Sequence, residues 1–207
     1  LGAIFFSFQI YFDFSGYSDI AIGISKLLGF ELMSNFKFPY FSISITQFWR
    51  RWHISLSTWF RDYVYIPLGG SNSNDVIRYR NVAIVFLVSG FWHGANWTFL
   101  LWGFIHFLIY FTAALLNKKY ASLNTFSASK TINFFQAIIT FFLVTIAWIF
   151  FRSESIQIGF DYIYLMFLNF DLPRSFLFFI PLVMVFLFLE YLIKNNEREL
   201  FFFKNRI

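Results

Sequence analysis

Charged residues in this chain occur in groups, and the groups leave long uncharged segments between them. Residues 132–151 carry no charge up to Arg152, and residues 175–193 carry one charged residue, Glu190, near their end. Each segment is close to the roughly 20 residues that an α-helix needs to cross the hydrocarbon core of a bilayer. Both are predicted to span a membrane, whereas the apolar but interrupted segment 156–170 predicts a re-entrant or interfacial helix.

Residues 82–116 form the longest stretch without Asp, Glu, Lys or Arg. Its 35 residues are too many for one span and slightly few for two spans with a loop. The glycine-flanked segment from Gly90 to Asn96 supplies a break. The pattern therefore predicts a short helix over 81–92 and a full span over 97–117. A helix from Arg80 rises roughly 20 Å by His93, which places this histidine inside the membrane.

Residues 47–66 alternate polar and apolar positions with the period of an α-helix. Trp49, Trp52 and His53 fall on one face about 120° wide, and Arg51 falls outside it. A basic, tryptophan-rich amphipathic helix is typical of the membrane interface. We therefore predict one helix near the membrane plane, with its tryptophans facing protein.

Residues 1–30 are largely apolar but include Asp13 and Asp19. Acidic groups within a membrane segment face protein or water. Two interpretations remain open for this pair. The carboxylates hold an ion or a sugar hydroxyl, or they are ion-pair partners of Arg50 or Arg51. Further along the chain, Pro39 predicts a break near Phe38.

Composition limits the class of protein. Of 207 residues, 58% are hydrophobic, 26% aromatic and 13% charged, against roughly 25% charged in soluble domains. The chain is predicted to be all-α, a polytopic integral membrane protein whose helix bundle includes broken and interfacial helices. Residues 1–207 are predicted to be a single membrane domain. Since the chain opens at Leu1 inside an apolar segment, we expect it to be a piece of a longer protein; the resemblance described below implies the C-terminal portion.

Charge and cysteine content exclude several kinds of chemistry. The net charge of +5 comes without a basic patch, so nucleic acid is not an expected partner. The absence of cysteine excludes a thiol nucleophile and thiolate metal sites. No histidines have metal-ligand spacing, and no metal site is predicted. By the positive-inside rule, the loop 118–130 and the tail 194–207 are predicted to be cytoplasmic.

The three histidines are the candidates for proton transfer. His93 lies in the glycine-flanked break, where an ionisable side chain is costly and hence a functional candidate, although a core histidine remains the alternative. His53 faces inward on the amphipathic helix or is an interfacial ring, and His106 is expected in the core. Gly90 and Gly94 either admit a substrate to the backbone or serve helix packing.

Three motifs resemble one family. The stretches YFDFSGYSDIAIG (11–23), QFWRRWHISLSTWFRDYVYIPLGG (47–70) and SGFWHGANWTFLLWG (89–103) resemble the membrane-bound O-acyltransferases, most closely their bacterial alginate O-acetylation branch. The resemblance implies that His93 is the catalytic histidine and that His53 is the second functional position. Further positions within the motifs are assigned to substrate binding: Asp19, Arg51, Trp92 and Asn96.

The resemblance also implies a reaction. We expect acyl transfer, with acetyl favoured by the ending IPLGG at 66–70, from a cytoplasmic thioester such as acetyl-CoA to hydroxyls of an extracytoplasmic polysaccharide such as alginate. The two substrates would meet in a central pore at His93, and no permanently bound cofactor is expected. Expected partners are membrane lipids, the polysaccharide and an extracytoplasmic acetyl-transfer protein, and the expected location is the bacterial cytoplasmic (inner) membrane. The alternatives are the same chemistry on peptidoglycan or teichoic acid, and a transporter without chemistry.

Overall fold

The structure, a computed structural model, describes residues 1–71, 74–119, 129–168 and 177–193. Within these ranges every regular element is helical, as predicted, and no strand occurs. A 3-10 turn (Pro39–Phe41) and a π-helical turn (Arg61–Tyr65) accompany the α-helices. These are α1 (Gly2–Leu27), α2 (Ile45–Trp49), α3 (Ile54–Phe60), α4 (Asp75–His93), α5 (Trp97–Lys119), α6 (Lys130–Arg152), α7 (Ile156–Leu168) and α8 (Phe179–Ile193).

Two of the predicted spans are confirmed as helices of membrane-crossing length and hydropathy. They are α5 and α6, each of 23 residues. The predicted span 175–193 corresponds to α8, whose 15 described residues are apolar but shorter. The segment 156–170 corresponds to α7, another short apolar helix. The predictions for 118–130 and for 194–207 fall mostly on residues outside the described ranges.

Helix α4 begins earlier than the predicted residue 81. Asn74 caps it, since the Asn74 side-chain oxygen accepts a hydrogen bond from the Ile77 backbone N–H at 2.9 Å. Asp75 follows in the first turn, and its carboxylate pairs with Arg78 at 3.0 Å and with Lys118 at 2.7 Å. These ion pairs therefore stabilise the first turn of α4. Its 19 residues rise roughly 28 Å, close to the thickness of the hydrocarbon core.

The prediction of one helix over 47–66 is wrong. The chain forms α2, a turn, α3 and the π-helical turn, because His53 takes a left-handed conformation with φ 43°. Trp52 is buried as predicted. Arg51 is half-buried rather than facing water. Tyr63, which a single helix would place on the same face as the tryptophans, is exposed. The turn at His53 reorients the second half of the segment, so the apolar stripe does not continue along one axis.

The break predicted near Phe38 is confirmed. Phe38 has φ 51°, and the 3-10 turn starts at Pro39, where a fixed φ and a missing N–H suit a helical start. The turn packs Tyr40 into the core. The Tyr40 hydroxyl donates a hydrogen bond to the Ser7 carbonyl oxygen of α1. This connection therefore fixes the loop before α2 against α1.

Helices α4 and α5 form a closely packed hairpin. A Cβ at Gly90 would overlap the Phe99 carbonyl oxygen, and a Cβ at Gly103 would overlap that of Phe86. Small residues let helix backbones approach closely within membranes. The Phe99 ring also covers Gly94. The structure therefore supports the packing role of Gly90 and Gly94, and the alternative that they admit a substrate to the backbone stays a prediction.

Helix α6 lies at the centre of the bundle and contacts α1, α2, α5 and α7. Its buried Trp148 stacks on Trp102 of α5, with ring centroids 5.6 Å apart. On the other side of the core, Tyr11 of α1 donates a hydrogen bond to the buried carboxylate of Glu190 in α8. Aromatic packing against α6 therefore fixes α1 and α5 around it.

Candidate active site

His53 and His93 line the same cavity, which has a volume of about 560 Å³. His53 comes from the turn between α2 and α3, and His93 is the last residue of α4. Helix α1 and the end of α6 close the other sides. The lining residues are Phe6, Gln9, Ile10, Asp13, Phe14, Tyr17, Trp49, Trp52, His53, Leu56, His93, Trp148, Phe151 and Arg152. The structure thus brings together the two histidines for which the family resemblance implies a function.

Aromatic rings surround the His93 imidazole. The nearest ring centroids are those of Trp92 at 5.0 Å, Phe151 at 5.1 Å and Trp102 at 5.3 Å. All three stand nearly perpendicular to the imidazole. Edge-to-face contacts of this kind on several sides hold the orientation of the imidazole in the cavity.

The left-handed backbone of His53 is fixed by the preceding loop. The Asn35 carbonyl oxygen accepts a hydrogen bond from the Ile54 N–H at 3.0 Å. The Asn35 side-chain oxygen accepts two more, from the Ser55 N–H at 3.2 Å and the Ser55 hydroxyl at 2.6 Å. A left-handed backbone costs a residue other than glycine roughly 1–2 kcal/mol. Such strain persists where surrounding contacts impose it, and it is common at functional sites.

The ring nitrogens of both imidazoles are available to a ligand in the cavity. Among the described residues, neither the His53 nor the His93 side chain forms a hydrogen bond to a protein group. Burial lowers the pKa of His53 below its ordinary value of 6.5, with the charge of nearby His93 as the second cause. His53 is therefore neutral at physiological pH and offers one N–H donor and one lone pair.

The four residues assigned to substrate binding lie outside the cavity lining, and their roles stay predictions. Trp92 is the closest, because its ring is 5.0 Å from that of His93 and 6.4 Å from that of His53. Asn96 is at the start of α5, where its side-chain oxygen accepts the Thr98 N–H at 3.1 Å. Asp19 is exposed on α1, and the half-buried Arg51 lies two residues before His53.

His106 is a core residue, as expected. It is fully buried, and its ring is 4.9 Å from that of Trp49 and 5.0 Å from that of Trp102. Its two nitrogens have no hydrogen-bond partner within the described ranges. His106 does not line the cavity, so it has no access to a substrate there.

Sequence reasoning missed Gln9 and Arg152 in the cavity lining and Asn35 behind His53. Gln9 lies one helical turn before Asp13, a spacing that places both on one face of α1. Arg152 was assigned only to the end of a span. Between Asp13 and Arg50 or Arg51, no ion pair occurs in the described part of the chain. Of the two interpretations of Asp13, the structure therefore favours a side chain that faces a ligand.

A metal has no assembled ligand set here. In the ranges that the structure describes, no three His, Asp or Glu side chains are close enough to hold an ion. The expectation of a metal-free site stays a prediction.

Comparison with known proteins identifies the family of the chain. The family model of the membrane-bound O-acyltransferases matches residues 1–156. A probable alginate O-acetylase of Pseudomonas syringae is 50% identical over 159 residues, which cover 77% of this chain and 29% of that protein. A peptidoglycan O-acetyltransferase of Helicobacter pylori is 44% identical over 155 residues, covering 73% and 28%. A teichoic acid D-alanyltransferase of Streptococcus thermophilus is 38% identical over 128 residues, covering 58% and 31%.

The fold and the site together define a helical membrane protein with a cavity lined by two histidines. The chain belongs to the membrane-bound O-acyltransferase family. It spans less than a third of the length of the three relatives described above.

Proposed function

We propose that the full-length protein is a membrane-embedded O-acyltransferase that moves an acetyl group from a thioester donor to a hydroxyl of a polysaccharide. The observation that carries the proposal is the cavity in which His53 and His93 meet. Family membership supplies the reaction class. Two relatives described as O-acetylating proteins favour acetyl over other acyl groups.

His93 is the general base of this mechanism. It accepts the proton of the acceptor hydroxyl while the hydroxyl oxygen attacks the thioester carbonyl carbon. A carbon–oxygen bond forms, and the carbon–sulfur bond breaks as the tetrahedral intermediate collapses. The proton then passes from His93 to the departing thiolate. No protein nucleophile takes part, which fits a chain without cysteine.

His53 orients one of the reacting groups. A neutral imidazole donates through one nitrogen and accepts through the other. Its N–H can bind the thioester carbonyl oxygen, where negative charge develops in the transition state. The hydrogen bonds from Ile54 and Ser55 to Asn35 fix the backbone from which the ring projects. His53 is therefore preorganised before either substrate enters.

The acceptor that we favour is alginate or a similar exopolysaccharide. The relatives with this description share 46–50% identity with the chain over 159 residues. Peptidoglycan and teichoic acid are the alternatives, since relatives named for these polymers also match. The donor would be acetyl-CoA or another acyl thioester, with no permanently bound cofactor.

The remaining proposals concern location and partners. The protein would lie in the bacterial inner membrane as a multi-pass protein. A pore would connect a cytoplasmic donor side with an outer acceptor side at His93. An extracytoplasmic acetyl-transfer protein and membrane lipids would be its partners. The apolar helices α5 and α6 support membrane insertion.

Reconstitution of the full-length protein tests this function. Vesicles would receive radiolabelled acetyl-CoA on one side and alginate, peptidoglycan or teichoic acid on the other. We expect ester-linked label in the polymer, with alginate labelled fastest. Passage of label or polymer across the vesicle without ester formation would instead support a transporter.

A further inference from the structure

The mouth of the 560 Å³ cavity is polar, whereas its floor is aromatic. Gln9, Asp13 and Tyr17 of α1 all line the cavity, and all three are exposed. Their spacing of four residues places them on one face of the helix. Arg152, the last residue of α6, is exposed and lines the same cavity.

The polar side chains at this mouth have no hydrogen-bonding partner in the described part of the chain. Gln9, Asp13 and Arg152 form no hydrogen bond or ion pair with one another or with other groups in the described ranges. The Arg152 guanidinium lies over the Phe6 ring, 5.7 Å from its centroid. An aromatic face positions a guanidinium but leaves its in-plane N–H donors available.

The chemistry of the four side chains matches an acidic sugar. A guanidinium binds a carboxylate through two parallel hydrogen bonds. A carboxylate and an amide bind sugar hydroxyls, and a tyrosine ring can lie against the apolar face of a sugar ring. Pockets commonly combine apolar walls with a few polar groups of this kind that fix orientation.

We propose that Gln9, Asp13, Tyr17 and Arg152 form the acceptor subsite, and that Arg152 selects acceptors carrying a carboxylate on the sugar unit. The subsite rests on the proposed acyl transfer for its purpose. Asp13 and Gln9 bind hydroxyls of the same unit, which directs one hydroxyl inward to His93. Arg152 is thus a specificity-determining residue, and it takes no part in the proton transfer.

Binding without turnover provides the test. Full-length protein, without any acyl donor, would be titrated with a uronic acid oligosaccharide and with the same oligosaccharide after reduction of its carboxyl groups to alcohols. The wild type is expected to bind the acidic form about 10-fold more tightly, as one charge-assisted pair allows. Arg152→Gln should bind both forms equally. Arg152→Lys should keep part of the preference, since it retains charge without the bidentate geometry.

Two controls separate the subsite from general effects. Lys26→Gln removes a positive charge from an exposed position of α1 outside the cavity, and it should bind like the wild type. Asp13→Asn should weaken binding of both oligosaccharides. A wild type without preference, or a preference that survives in Arg152→Gln, would overturn the subsite.

Acetyl transfer measured on the two polymers distinguishes the two proposals. Transfer that depends on His93 but has the same polymer preference in Arg152→Gln would refute the subsite and leave the proposed function intact. Charge-selective binding that is lost in Arg152→Gln, with no acetyl transfer by the wild type to any polymer, would refute the function and leave the subsite.

Discussion

Replacement of Gly90 by alanine should reduce activity through the position of His93. The two residues lie three apart on α4, and Gly90 is where the backbones of α4 and α5 meet. A Cβ at Gly90 would overlap the Phe99 carbonyl oxygen. Carbon–oxygen contacts are ordinarily about 3.3–3.6 Å even when attractive. The two helices must therefore separate by roughly 1 Å to accept the methyl group.

The size of the effect follows from this displacement. A misplacement of 1 Å costs about 10²-fold in rate, so we expect Gly90→Ala to lose about 99% of acetyl transfer. Overpacking costs about 1–3 kcal/mol, and the better helix propensity of alanine returns up to about 1 kcal/mol. Stability should thus fall slightly, far less than activity.

Gly23→Ala is the matched control. A Cβ at Gly23, also within an α-helix, would meet nothing within 4 Å. This variant should keep full activity and gain up to about 1 kcal/mol of stability. The assay is acetyl transfer per milligram of full-length protein, with thermal unfolding followed by tryptophan fluorescence. Wild-type activity in Gly90→Ala would show that the contact between α4 and α5 does not position His93.

Three further predictions concern other parts of the structure. His53→Gly and His53→Ala should both lose activity. The glycine variant should be about 1 kcal/mol more stable than the alanine variant, because glycine accepts the left-handed backbone. Equal unfolding temperatures of the two variants would contradict backbone strain at this position. Glu190→Leu should destabilise the protein by about 1–3 kcal/mol, since the Tyr11 hydroxyl loses its buried acceptor. Glu190→Gln should have a free energy of unfolding close to that of the wild type, and chemical denaturation of both variants measures the difference. Lys118, through its hydrogen bond, lowers the pKa of Asp75, so this pair stabilises the protein at neutral pH and loses its contribution as pH falls through the lowered pKa. Wild type and Asp75→Asn should therefore differ in unfolding temperature at neutral pH, and the difference should shrink as the solution is acidified.

The membrane helices could be predicted because their signal is local. The absence of charge over 132–151 is sufficient to identify α6, and no neighbouring element changes it. The break before α5 is equally local, since Gly94 ends α4 directly after His93. The start of α4 was missed because the prediction followed the uncharged stretch and left out the first turn at Asp75, although an acidic first turn is favoured by the helix dipole.

The geometry of the site depends on contacts that the sequence does not display. The amphipathic pattern continues through His53, whereas hydrogen bonds from Ile54 and Ser55 to Asn35, about 20 residues earlier, hold this residue in its left-handed turn. Likewise, Arg152 reaches the cavity only because α1 packs against α6. Such contacts between distant segments arise from tertiary packing, which hydrophobic periodicity does not encode.

The central claim is that His93 is the base for acetyl transfer, and a comparison of two histidines tests it most directly. Full-length His93→Ala and His106→Phe would be expressed to equal levels in cells that make the acetylated polymer. His106 is fully buried away from the cavity, and its nitrogens have no partner within the described ranges. An aromatic replacement therefore preserves packing and removes no described hydrogen bond.

The measurement is the ester-linked acetyl content of the polymer. Loss of a general base costs about 10²–10⁴ in rate, so His93→Ala should leave the polymer essentially unacetylated, whereas His106→Phe should keep it acetylated. Wild-type acetyl content in cells with normal amounts of the His93→Ala protein would contradict the account.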